Sequence, residues 1–228
     1  SEGCMVRSLN RQKVERAVRE RRTLTLTTHA YFAEERDYID EILNEYLAAA
    51  GRPELRDRIS YCIHELANNA KKANTKRVFF EENGLDMDNE SQYWIGMRSF
   101  HSETVRRIDH YVERLKASQL YIKVQFRLAE DSVVISVRNN VRLTRIERER
   151  IEEKIARSRR YSNMADAYAD IEDSSEGAGL GIVMMIIMLR SLELDEQIIR
   201  FFTNRHETWV VLTIPVAGKL STAPSVAN

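Results

Sequence analysis

Hydrophobic and polar positions change their period along the chain, and each change predicts a new element. Residues 23–28 read Thr-Leu-Thr-Leu-Thr-Thr, an alternation typical of a half-buried strand. Residues 31–50 carry apolar side chains at helical spacing, and Gly51 followed by Pro53 ends that helix and opens another over 54–75. This part of the chain is therefore predicted to contain one strand and two long helices.

The rest of the chain mixes short apolar runs with charged segments. We predict strand pairs at 120–126 with 133–137 and at 198–202 with 208–214. We predict helices at Glu103–Leu115, 144–160 and 182–191, which are amphipathic, charged and apolar respectively. We assign 1–22 as an Arg-rich N-terminal arm, 23–216 as one domain with an insertion at about 83–117, and 217–228 as a disordered tail.

Composition narrows the fold class. Eight glycines and three prolines in 228 residues are too few turn formers for a many-stranded sandwich or barrel. The hydrophobic share of 43% is that of a globular protein. We therefore expect an α+β fold in which helices dominate over a modest sheet.

Charge and cysteine content narrow the environment. Lys plus Arg equals Asp plus Glu at 35 each, so no overall basic field favours nucleic acid as a partner. The longest strong apolar run, Ile182–Leu189, is too short to span a membrane. Cys4 and Cys62 give no disulfide framework, which indicates a reduced, cytoplasmic setting. Because the chain starts at Ser1 rather than Met, we expect a processed form or a piece of a longer protein.

Glycine is concentrated at one place. Gly177, Gly179 and Gly181 lie within five residues, directly before the predicted apolar helix. Backbone N–H groups at such a helix N-terminus can bind phosphate. No Gly-Lys-Ser/Thr follows, so the segment is not a Walker A loop, and a loop that only uses the conformational freedom of glycine is the alternative.

A second candidate site lies on the predicted helix 54–75. Helical geometry places Glu65, Asn68, Asn69 and Lys72 on one polar face beside an apolar face. Glu65 and Asn69 are one turn apart, so the carboxylate can accept a proton while the amide oxygen ligates Mg²⁺. The alternative is a solvated polar face without chemistry.

Together these motifs resemble the GHKL (Bergerat-fold) ATP-binding proteins, which include histidine kinases, anti-sigma-factor serine kinases, heat-shock chaperones and type II topoisomerases. Residues 65–72, Glu-Leu-Ala-Asn-Asn-Ala-Lys-Lys, resemble the N box of that family. Residues 177–181, Gly-Ala-Gly-Leu-Gly, resemble its second glycine box, and 208–215 resemble its last strand. The resemblance covers roughly 23–216 and implies a two-layer α/β sandwich, with a mixed, mostly antiparallel sheet covered on one face by helices.

The resemblance also implies ATP and Mg²⁺ as cofactors. Glu65 would polarise the attacking group, Asn69 would ligate Mg²⁺, and Lys72 would contact phosphate, with Asn68 beside them. The glycine box, including Leu180, would hold the triphosphate beneath a lid at about 141–176. Thr208 would help to hold the adenine.

The chain departs from the family at the first glycine box. Asn139 stands where the family has an Asp that accepts from the adenine amino group, and Asn140-Val141 follow without glycine. An Asn oxygen can accept the same hydrogen bond without the charge, provided that the amide is turned the right way. The missing glycines also imply that the lid has a different hinge from that of the family.

The expected function is a signal-transduction kinase-type module that transfers phosphate from Mg-ATP to a protein His or Ser/Thr. None of His29, His64 and His110 has the context of a phosphoacceptor, and the order of the first elements resembles the anti-sigma-factor serine kinases. The expected protein partner is a response regulator, a sigma factor or its antagonist. The charged stretch 145–160 is interpreted as a solvated face, with Arg157 or Arg159 reaching the terminal phosphate as the alternative.

Two other hypotheses remain open. The first is a nucleotide-sensing domain of the same fold without turnover, which the altered first glycine box suggests. The second is an interaction module that forms a homodimer through the arm or through Glu103–Leu115. DNA-topology and chaperone roles are disfavoured, because those relatives need large additional domains.

Overall fold

The computed structural model describes residues 2–167, 180–192 and 198–218, with 2–10 and 180 described by their backbone alone. The helices are α1 (Glu2–Arg19), α2 (Ala33–Ala49), α3 (Arg56–Glu82), α4 (Glu90–Arg106), α5 (Ile108–Ala117), α6 (Arg145–Ser158) and α7 (Leu180–Arg190). The strands are β1 (Leu24–Thr28), β2 (Ile122–Leu128), β3 (Ser132–Asn139), β4 (Ile199–Thr203) and β5 (Thr208–Pro215). Gly177, Gly179, the end of the expected lid from 168 onward and the predicted tail beyond 218 lie outside the described residues.

The sheet confirms the predicted fold class. Its five strands run in the order β1-β2-β3-β5-β4, and each neighbouring pair in the described chain is antiparallel. Side chains alternate along β3, so Val133, Ile135 and Val137 are buried against the helices. Asn139 ends β3 on this same helix-facing side and is in register with Thr208 of β5. The fold is therefore an α+β two-layer sandwich.

Helix α3 connects two hydrophobic cores. Its first half packs Ile59 and Ile63 into the main core beneath the sheet. Phe79 and Phe80, near its end, belong to a second core formed with α4 and α5. The helix therefore continues seven residues beyond the predicted end at 75, because the insertion supplies an apolar partner for its last turns. It ends just before Gly84, which has a φ of 63°.

The insertion differs from its prediction. We predicted one helix over Glu103–Leu115, and the structure has α4 and α5 separated at Arg107, whose φ of −116° and ψ of 39° are not helical. The break lets Tyr111 and Leu115 turn into the second core, while Val105 on α4 stays exposed. The residues from 90 to 102, which had no clear pattern, form the rest of α4.

The N-terminal helix and α6 both pack more closely than the sequence suggested. In α1, Val14 and Ala17 are buried members of the main core. Helix α6 begins after Thr144, whose hydroxyl accepts from the backbone N–H of Glu147 at 3.2 Å, while the Glu147 side chain accepts from the N–H of Thr144. No helix within the described ranges is both long enough and apolar enough to cross a membrane.

Candidate functional site

A cavity of about 660 Å³ lies between the helices and one edge of the sheet. Its volume falls in the range of small-molecule sites. It is lined by the predicted site residues Glu65, Asn68, Asn69, Lys72, Asn139, Gly181 and Thr208. Leu180 is described only by its backbone, and Gly177 and Gly179 lie outside the described residues. The cavity therefore brings together side chains from α3, β3, β5 and the start of α7.

The Glu65 carboxylate is held by two neighbours. Asn69 donates from Nδ2 to Glu65 Oε1 at 3.2 Å, as expected for residues one turn apart on α3. Gly181, in the first turn of α7, approaches so closely that a Cβ there would overlap the Glu65 carboxylate. Glycine at 181 is thus needed for a close approach rather than for an unusual backbone angle.

The sheet side of the cavity, formed by Asn139 and Thr208, is lined by neutral polar groups. Asn139 is 4% exposed and donates from Nδ2 to Asn74 Oδ1 at 3.0 Å. Asn74 is fully buried on the sheet-facing side of α3. Thr208 donates its hydroxyl to the carbonyl of Val141 at 2.8 Å. These bonds fix both cavity-lining side chains.

The helix side of the cavity, formed by α3 and α6, is lined by charges. Glu147 of α6 is buried and accepts from Lys76 Nζ at 2.6 Å and from Arg77 at 2.7 Å. Burial alone would raise the pKa of Glu147, but Lys76 and Arg77 outweigh it and lower that pKa to about 2. Burial lowers the pKa of Lys76, and Glu147 opposes that shift. The pair is ionised and fastens α6 onto α3.

Lys154, two turns after Glu147 on α6, also faces the cavity. It has no hydrogen-bonded or ion-paired partner in the part of the chain that the structure describes. Burial, followed by the charges of Arg150, Lys72 and Lys76, lowers its pKa to about 8. The cavity lining carries more cationic side chains than carboxylates, since Lys72, Lys76, Arg148, Arg150 and Lys154 face only Glu65, Glu147 and Glu152. This excess of positive charge favours an anionic ligand.

Asn69 keeps the side-chain oxygen that would ligate Mg²⁺. Because Asn69 uses Nδ2 toward Glu65, its Oδ1 remains available as a hard oxygen ligand. The described residues contain no group of three or more His, Cys, Asp or Glu side chains able to hold a metal. Phosphate oxygens and water would therefore supply most of the coordination, as is usual for Mg²⁺.

The histidines of this region lie in other surroundings. His64 is buried beside the cavity and bonds through Nε2 to Asp40 at 3.0 Å and through Nδ1 to the Tyr31 hydroxyl. Burial lowers the pKa of His64, with Asp40 acting in the opposite direction. His110 bonds to Glu82, at the far end of α3. Neither histidine lines the cavity.

Sequence reasoning missed several side chains of this site. Asn74 and Lys76 lie on the same helix as Glu65, but only the packing of α3 against β3 and α6 reveals their partners. The charge pattern predicts a solvated face for Arg150 and Lys154, whereas both line the cavity in the structure. A spacing signal existed for Lys76, since it lies one turn beyond Lys72 on the polar face of α3.

Over most of its length, this chain is similar in sequence to a curated protein. A protein of Treponema pallidum (strain Nichols), itself described as uncharacterized, is 38% identical to this chain over 204 residues. The match covers 90% of this chain and 40% of that protein, so the chain spans about two-fifths of the relative's length. No protein-family model matches the chain. No solved structure matches it either.

Proposed function

We propose that this chain is an ATP-binding, kinase-type signal-transduction module of the GHKL class. The observation that carries the proposal is the single cavity in which Glu65, Asn69 and Lys72 meet Asn139, Thr208 and Gly181. These residues come from α3, β3, β5 and α7. In the sequence, only the resemblance to the GHKL family connects them. Their convergence on one ligand-sized space is what a nucleotide site requires.

The two sides of the cavity suit the two parts of a nucleotide. The purine base fits the neutral sheet side, where Asn139 and Thr208 are fixed by hydrogen bonds. The triphosphate fits the helix side, where Lys72 and Lys154 supply charge. When bound, Mg²⁺ neutralises charge that develops on the phosphates during transfer.

Glu65 is the group suited to act on the nucleophile. In the proposed transfer, an acceptor hydroxyl or imidazole of a protein partner bonds to the γ-phosphorus while the bond to the β-phosphate oxygen breaks. The Glu65 carboxylate takes the proton of the nucleophile, and ADP leaves. Asn69 and Gly181 hold the carboxylate in place for this step. The expected partner is a regulator, sigma factor or antagonist in a cytoplasmic signalling system.

The test is a calorimetric titration with Mg-ATP, followed by measurement of ADP formed by basal hydrolysis, in which water takes the place of the protein acceptor. Glu65→Gln should retain binding and lower ADP formation by about 100-fold or more, because a positioned general base contributes on that order. Glu153→Gln on α6 is the matched control, since Glu153 is exposed and does not line the cavity. Absence of Mg-ATP binding would overturn the proposal, and unchanged turnover in Glu65→Gln would remove the role of Glu65.

A second candidate, nucleotide sensing without turnover, is favoured by the way α6 is attached. The buried Glu147 ion pairs hold the first half of the expected lid directly on α3. A cavity wall that is fixed in this way suits retention of a nucleotide better than repeated opening. Tight Mg-ATP binding by the unmodified chain without ADP formation, even when a protein acceptor is present, would support this candidate over the kinase.

A further inference from the structure

Asn139 lies at the bottom of the sheet side of the cavity, and its amide has two possible orientations. In one, the oxygen Oδ1 faces the cavity and can only accept a hydrogen bond. In the other, the nitrogen Nδ2 faces the cavity and can only donate. The orientation therefore decides which edge of a bound base this position recognises.

A buried chain of hydrogen bonds decides between the two. The carbonyl oxygen of Tyr121 can only accept, so the atom of Asn74 that lies 3.1 Å from it must be Nδ2. This places Asn74 Oδ1 toward Asn139. Asn139 must then direct Nδ2 to it, at 3.0 Å, which leaves Oδ1 for the cavity.

The start of this chain is itself fixed. The N–H of Tyr121 donates to Asn140 Oδ1 at 2.7 Å, and Asn140 Nδ2 donates to the carbonyl of Gln119 at 2.9 Å. Tyr121 is therefore held through both its N–H and its carbonyl. Because Asn74 is fully buried, water cannot replace the missing bond if its amide turns over.

The cavity side of Asn139 is correspondingly an acceptor. No group in the described ranges donates a hydrogen bond to Asn139 Oδ1. The neighbouring Thr208 hydroxyl donates its proton to the carbonyl of Val141, so its oxygen also presents only lone pairs to a ligand. Two neighbouring acceptors are complementary to a donor on the ligand, such as an exocyclic amino group.

We propose that Asn74 is a positioning residue that holds Asn139 with its oxygen toward the cavity, so that the site selects 6-amino purines over 6-oxo purines. The inference rests on the proposed nucleotide site and assigns its selectivity. A 6-amino group donates to Asn139 Oδ1, whereas a 6-oxo group places two acceptors against each other. The neutral amide thus accepts the hydrogen bond of the amino group because its orientation is fixed, whereas a carboxylate would accept that bond in any orientation.

Three nucleotides test the orientation in the unmodified chain. Calorimetric titrations with the Mg²⁺ complexes of ATP, purine riboside triphosphate and ITP compare an amino group, a hydrogen and a carbonyl at the same position. We expect affinity to fall in that order, with ATP about 10- to 100-fold above ITP, because the buried acceptor is left without a partner. The reverse order would show that Nδ2 faces the cavity and would overturn the inference. No binding of any of the three would instead overturn the nucleotide site.

Two variants test the role of Asn74. Asn74→Leu frees the amide of Asn139 to turn, so the ratio of ITP to ATP dissociation constants should fall toward one. Adding Asn139→Asp to Asn74→Leu should restore the ratio, since a carboxylate presents oxygen in either orientation. Unchanged selectivity in a folded Asn74→Leu variant, or failure of the double variant to restore it, would exclude the positioning role.

The matched control is Asn83→Leu, at the end of the same helix. The Asn83 amide donates to the carbonyl of Phe79 at 2.8 Å and does not line the cavity. It should leave the selectivity ratio unchanged even if stability falls, and a collapse of the ratio equal to that of Asn74→Leu would contradict the inference. Where Asn74→Leu does not fold, the order of the three nucleotides in the unmodified chain still decides the orientation.

Discussion

The sheet side of the cavity is lined by neutral amide and hydroxyl groups, whereas the helix side is lined by charged groups. On the sheet side, Asn139 and Thr208 already have their hydrogen-bond partners within the protein. On the helix side, Glu147 compensates Lys76 and Arg77, but Lys154 faces the cavity without a partner in the described chain. The sheet side is therefore fixed in position before a ligand arrives, with the Asn139 oxygen left as an acceptor, whereas the helix side is left with uncompensated positive charge.

This difference separates selectivity from affinity. A side chain held by buried hydrogen bonds cannot adapt to a wrong ligand, so the sheet side discriminates. Positive charges held close together repel one another, and an anion relieves that repulsion, so the helix side attracts.

The largest expected effect comes from Glu147→Ala. It leaves Lys76 and Arg77 beside a cavity without their buried carboxylate, which should cost about 3–5 kcal/mol of unfolding free energy. Glu149→Ala, two residues further along and on the exposed face of α6, is the control and should cost far less. Denaturant titrations measure both. A loss below 1 kcal/mol for Glu147→Ala would mean that the ion pair does not hold α6 in place.

The same carboxylate predicts a pH dependence. The pKa of Glu147 is lowered from its ordinary value of 4.5 to about 2 in the folded chain. The stability that Glu147 contributes is therefore complete above pH 4.5 and is lost as the pH falls from there toward 2. Unfolding free energies of the wild type and Glu147→Ala should therefore converge as the medium is acidified through this window. Parallel curves would contradict the assignment.

Gly181→Ala should have the next largest effect, on activity rather than stability. The added methyl group overlaps the Glu65 carboxylate, and a flexible side chain can rotate away at small cost in stability. The displaced carboxylate should lower ADP formation by about 100-fold, the order expected for a misplaced catalytic group. Because the effect acts through Glu65, Gly181→Ala should add little to Glu65→Gln. A full additional loss in the double variant would exclude this route.

Lys154→Met should weaken affinity and increase stability at once. The pKa of Lys154 is about 8 in the folded chain, below its ordinary value of 10.5. Between these two pH values the unfolded chain binds more protons than the folded chain, so the stability of the wild type rises with pH across that window. The variant should lack this rise and be more stable at pH 7. Wild-type affinity for Mg-ATP should fall by about fivefold between pH 7 and 9 relative to the variant. Identical pH profiles would exclude Lys154 from the site.

Arg145→Ala should have the smallest effect. Arg145 lies 3.7 Å from Glu90 of the insertion and 2.7 Å from Glu149 of its own helix, and its side chain is about two-thirds exposed. Exposed pairs of this kind contribute little to stability and are screened by salt. Nucleotide affinity should therefore stay unchanged in calorimetry. A severalfold loss would mean that the insertion takes part in the helix side.

Sequence predicted those parts of the site that depend on local geometry. Glu65 and Asn69 lie together because residues four apart share a helix face, and the fold class follows from the alternating strands and long helices. The chain from Tyr121 through Asn74 to Asn139 joins segments 47 and 65 residues apart, and no local pattern reveals it. The charge-rich composition of α6 favours a solvated face for Lys154, and only packing shows which side of the helix is covered.

The length of α3 has a consequence for hydrogen exchange. At 27 residues it extends about 40 Å, and the site from Glu65 to Lys76 occupies its middle, between the main core and the second core. Backbone amides in the middle of such a helix do not exchange by fraying from either end, so deuterium uptake there requires both cores to open. The middle of α3 should thus be among the last amides of the protein to exchange, with or without nucleotide.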